Sequence, residues 1–116
     1  MFDITEKKAM YWMLETHILP ILRTALFMSV SADIEDTAKL TEEQRKRELL
    51  QRLDKKHRYE SVDVIEHTMI SYNLGNDDQE KAYFGGELLL MYDILLKHAR
   101  TFLEAGEHQK IKDLCA

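Results

Sequence analysis

Residues that make turns are scarce in this sequence: one proline and four glycines in 116 residues. A fold of short strands needs many tight turns, and those turns depend on Gly and Pro. Their scarcity implies few, long elements and favours helices. Cysteine is also nearly missing. The single Cys115 lies next to the C-terminus, which excludes an internal disulfide and points to a reducing compartment. No uninterrupted apolar run approaches the length needed to span a bilayer, and no charged-then-apolar leader opens the chain. The expectation is a soluble, cytoplasmic protein without a membrane segment. A chain of 116 residues makes one domain, residues 1–116, with room for a single core but little for a deeply enclosed active site.

What is present is apolar periodicity between capping signals. In residues 77–106, Asp77 is followed by Glu80 at capping-box spacing, and Gly106 stands where a left-handed residue would stop a helix. Between them Leu88, Leu89, Leu90, Met91, Ile94, Leu95, Leu96, Phe102 and Leu103 cover too many faces for a surface helix. The spacing predicts a long helix surrounded by others, with Leu88, Met91, Leu95 and Phe102 as its central stripe. The Gly85-Gly86 pair inside it costs about 1 kcal/mol per residue relative to alanine. A kink, a closely approaching helix, or a helix that starts only at Gly86 would account for it.

A first helix is expected from Thr5 toward Val30, with Met10, Met13, His17, Ile21, Ala25 and Met28 on one face and a kink or break at Pro20. Thr41 and Gln44 form a second capping pattern. It opens a polar helix whose apolar seam is Leu49, Leu50 and Leu53. A third helix is expected over residues 61–74, with Val62, Ile65, Met69 and Tyr72 as its stripe and Gly75 as its stop. The stretch between Lys55 and Glu60 holds no Gly or Pro, so the second and third helices could be continuous. A short helix follows at 107–114. The expected fold is all-α: an antiparallel four-helix bundle with a short extra C-terminal helix.

The net charge of −5 is unevenly spread. Residues 45–58 carry Arg45, Lys46, Arg47, Arg52, Lys55, Lys56 and Arg58 against Glu48 and Asp54. Such a polarised chain can steer a partner or pair with a second copy; the plain alternative is a solvated helix face. Nucleic-acid binding would have to use this segment, but overall acidity opposes it. The five histidines do not supply a metal site: the di-iron bundle pattern needs two Glu-x-x-His pairs, and His57–Glu60 is reversed and single. Zinc would want cysteine or tighter clustering. His67 and His98 lack the Lys and Gly that follow the reactive histidine of phosphotransfer domains. No serine sits in a Gly-flanked elbow, and Gly85-Gly86 follows no strand that could present phosphate. No catalytic, metal or cofactor site is expected. Six methionines are many for this length; each alone reads as adaptable core filler, while their collective excess suits a surface that accepts varied helices.

From Val62 onward, an apolar helix, a polar loop and then Glu87-Leu88-Leu89-Leu90-Met91-Tyr92-Asp93 resemble the C-terminal half of the flagellar export chaperone family FliS. That resemblance implies a helical bundle that binds the C-terminal helices of flagellin. The N-terminal half departs from it at Pro20 and at the basic segment. The resulting expectation is a non-enzymatic adaptor or chaperone that binds a partner protein or its amphipathic helix. Arg45, Arg47, Arg52, Lys55, Lys56, Met10 and Met13 are the candidate contact residues, and homodimerisation would cover surplus apolar surface. The competing readings are a nucleic-acid-associated regulator using 45–58 and a metal-binding bundle.

Overall fold

The structure is a computed structural model that describes residues 4–115. Among these residues there are only helices: α1 (Ile4–Met13), α2 (Leu19–Asp36), α3 (Glu42–Lys55), α4 (Ser61–Ser71), α5 (Asp78–Glu104) and α6 (His108–Asp113). The protein is all-α. A π-helical turn, Leu14–Ile18, joins α1 to α2 without a break, and a second, Lys56–Glu60, joins α3 to α4. The expected first helix is thus one rod, Ile4–Asp36, of 33 residues. The expected second and third helices are also one rod. Three long rods and one short helix therefore stand where four main helices and a short one were expected. At about 1.5 Å per residue such rods reach roughly 50 Å, and the molecule measures 53 × 24 × 20 Å.

Pro20 does not break the first rod, because the chain widens just before it. The Leu19 amide bonds to the Leu14 carbonyl, a five-residue step that displaces the carbonyls a proline ring would otherwise strike. Thr24 Oγ1 donates to the Pro20 carbonyl at 2.9 Å.

Side-chain pairs fix how the rods run. Asp33 meets both Arg52 and Lys56. His57 meets Asp93, and Asp54 meets Arg100. These pairs tie each rod to the one before it. α6 folds back against the far end of α2 and α5, where Lys112 lies 3.8 Å from Glu35.

The core of the first rod is Leu14, Ile18, Leu22, Leu26, Val30 and Ile34, with Phe27 beside them. The stripe expected from the sequence needs correction here. His17 and Ala25 are exposed, as are Ile21 and Met28 at 40 % and 58 %, while Met10 and Met13 pack part-buried on the core. Both sides of this helix are apolar at helical spacing, so periodicity alone could not choose between them. In α4, Ile65, Thr68 and Ser61 are buried while Val62 and Tyr72 are exposed, so half of that stripe is corrected as well. In α5, Leu88, Met91 and Leu95 are buried as expected, joined by Ala99 and Leu103; Phe102 is half-buried.

The expected caps are present at both ends of α5. Asp77 accepts from the Glu80 amide at 2.8 Å. Gly106, at φ +71°, closes a Schellman motif: its amide reaches Leu103 and that of Glu107 reaches Phe102. The stop of α4 is Asn73 rather than Gly75. Asn73 adopts φ +51°, and the amides of Asn73 and Leu74 return to Ile70 and Met69. Asparagine is the residue that tolerates this conformation next best after glycine.

Candidate partner-binding groove

Three of the seven basic side chains of 45–58 are held within the chain. Arg45 Nη2 donates to the Ile34 carbonyl at 2.6 Å and Arg45 Nε to Thr37 Oγ1 at 3.3 Å. It thereby covers carbonyls at the negative end of the α2 dipole. Arg52 spans Asp33 at 3.1 Å, Asp36 at 2.8 Å and Glu48 at 3.0 Å, and these carboxylates hold its guanidinium even further above its ordinary range. Lys56 Nζ lies 2.6 Å from Asp33 Oδ2. Arg45, Arg52 and Lys56 thus form a polar seam locking the α2–α3 end of the bundle. Arg47 and Lys55 face solvent.

At the other end the first and second rods separate. α2 packs on α5, and α4 packs on α5, but α2 and α4 hardly touch. Ala25 on α2 and Thr68 and Ser71 on α4 line the gap between them. What remains is a groove of 570 Å³, a volume within the usual ligand-binding range of about 300–1,000 Å³. Its apolar walls are Ile21, Leu22, Ala25 and Val64, with Tyr72 at the open end. Its carboxylates, Glu60 and Asp63, and the imidazole of His67 all belong to the second rod. His67 Nε2 is 3.4 Å from Ser71 Oγ. The α2 lip carries no charge: Ile21, Ala25, Met28 and Ala32 follow helical spacing along its exposed side.

That lip belongs to Ile4–Asp36, which by length and composition is apolar enough to cross a membrane; 33 % of its most apolar window is buried in the chain. The sequence reading counted no such segment, because isolated polar residues interrupt it. The sequence also missed the groove. Its one signal was the doubled apolar periodicity of the first rod, which marks a second covered face.

Other clusters are less suited to a ligand. His57 Nε2 pairs with Asp93 Oδ1 at 2.7 Å beside the Asp54–Arg100 pair, and no hydroxyl or thiol side chain lies among the residues lining that cleft. A second cleft, of 370 Å³, mixes Glu42, Arg45, Lys46, Glu104 and His108. Burial, with Arg45 and Lys112 nearby, lowers the pKa of His108, and its Nε2 has no hydrogen-bond partner. Among the described residues no three His, Cys, Asp or Glu side chains come together as a metal site. No protein-family model, no curated protein and no solved structure matches the chain.

Proposed function

We propose that this chain is a non-enzymatic, cytoplasmic helical adaptor or chaperone that receives an amphipathic helix of a partner protein in the α2–α4 groove. The observation that carries this reading is the open position between the first and second rods, where a further helix of a bundle would lie. Its walls are apolar, and Glu60 and Asp63 on one side favour an occupant with an apolar stripe flanked by Lys or Arg. Likeness of the stretch from Val62 onward to the flagellar export chaperones points to the same class of activity.

The basic segment takes a smaller part in this reading. Arg45, Arg52 and Lys56 act as structural ties, and Arg47 and Lys55 remain to influence encounter. Met10 and Met13 belong to α1 and pack its inner side against the core.

The test is fluorescence anisotropy with a labelled synthetic helix bearing a leucine stripe flanked by lysines. Binding is expected to weaken with salt, to be lost in Ala25→Trp and Val64→Asp, and to survive in Arg47→Glu. Equal binding by the wild type and both groove variants would overturn the reading.

A further inference from the structure

None of the residues of α1 is buried. Ile4 is 74 % exposed and Trp12 61 %, and Tyr11 is exposed beside them. Ile4, Lys8 and Tyr11 follow the i, i+4, i+7 spacing of one face, flanked by Lys7 and Trp12; Glu6 falls on the opposite side. Lys7 and Lys8 are both exposed. α1 therefore has the chemistry the groove calls for, an apolar stripe with two ammonium groups beside it. Its own groove is bounded by the α2 lip that continues from it, and among the described residues its Ile4, Tyr11 and Trp12 side chains are left exposed.

We propose that α1 of a second copy of this chain occupies the α2–α4 groove, with each protomer supplying its N-terminal helix to the other. The inference rests on the reading of the groove as a helix-receiving site. Complementary charge carries it: Lys7 and Lys8 of one protomer meet Glu60 and Asp63 of its partner, while Ile4, Tyr11 and Trp12 cover Ile21, Ala25 and Val64. The exchange is reciprocal, so one two-fold axis satisfies both grooves and closes the assembly at two copies. The π turn at Leu14–Ile18 and Pro20 stand between α1 and the lip. In the adaptor reading a partner helix would compete with this exchange.

The test uses the full chain in sedimentation velocity at low and high salt. The wild type should be dimeric at low salt and dissociate as salt rises. Lys7→Glu with Lys8→Glu, and separately Glu60→Lys with Asp63→Lys, should each weaken the dimer by about a hundredfold, since like charges then face each other. Circular dichroism should show both variants folded, because all four side chains are exposed. Mixed in equal amounts, the two variants should dimerise with each other, since each α1 then meets a groove of opposite charge. A monomeric wild type, unchanged dimerisation of either variant, or a mixture that stays monomeric would overturn the exchange. The leucine–lysine helix separates this outcome from failure of the adaptor reading. A monomeric wild type that binds this probe removes the exchange alone. A dimeric wild type, with the two variants restored on mixing but no uptake of the probe by the Lys7→Glu, Lys8→Glu variant, removes the adaptor reading alone.

Discussion

Replacing Gly86 with alanine should stabilise this protein, although glycine pairs inside a helix usually answer to packing. The two glycines of the pair sit in different surroundings. A Cβ on Gly85 would stand 3.4 Å from the Met69 sulfur, whereas a Cβ on Gly86 would meet nothing within 4 Å. Both lie inside α5, which is continuous from Asp78 to Glu104. The helical backbone therefore gains about 1 kcal/mol at Gly86 from lower unfolded-state entropy, with no steric loss. At an unfolding entropy of about 2.1 cal/mol/K per residue, that raises the midpoint of a chain this size by roughly 4 °C. Gly85→Ala should gain less, since the flexible Met69 side chain must adjust. Gly75→Ala should do the reverse. Gly75 has φ +82°, and its added Cβ would lie 2.8 Å from the Lys81 backbone nitrogen, so a loss of about 1–3 kcal/mol is expected. Thermal and urea unfolding of the three variants checks the order. A neutral or destabilising Gly86→Ala would refute the reasoning, because it would mean that the outer face of α5 is not open.

Leu88→Ala removes a fully buried side chain and should cost about 2–5 kcal/mol by urea titration, depending on how far the site collapses; a cost under about 0.5 kcal/mol would place Leu88 outside the core. Arg52→Glu should lower the unfolding midpoint clearly, since it sets a carboxylate among Asp33, Asp36 and Glu48, while Arg47→Glu should leave it unchanged; equal effects would show that the seam is not structural. His108 has its pKa lowered by burial, so the unfolded chain binds its proton first as pH falls below about 6.5. Its contribution to stability is therefore present above that pH and declines as pH falls toward the folded-state value. His108→Leu should flatten this part of the stability–pH curve, and an unaltered curve would refute the assignment.

The elements legible in the sequence were those with local signals. Asp77 and Thr41 cap the helices they were expected to cap, and Gly106 ends α5 as expected. Capping is chemistry between residues three or four apart, so a single chain displays it. Gly75 misled because Asn73, two residues earlier, also tolerates the left-handed region. The break allowed for at Pro20 is absent because a π turn, which no residue type announces, accommodates the proline. The groove was illegible for a different reason. It is a space between residues far apart in sequence, and its small side chains, Ala25, Thr68 and Ser71, carry no positive signal. The basic segment drew the eye as surface charge, yet its partners Asp33, Asp36 and the Ile34 carbonyl lie on the preceding rod.

The seam made by Arg45, Arg52 and Lys56 gives the groove a direction. The rods are pinned together at that end, and Thr37, which receives Arg45, is almost fully buried. Near Ala25 and Glu60 the lips are short levers and cannot spread. Near Ile21 and Tyr72 they are long levers, far from the pin. Under the proposed adaptor reading, a guest helix would therefore be gripped more firmly near Glu60, where the rods are pinned and the carboxylates lie, than near Tyr72, so the bundle would distinguish the two ends of its guest.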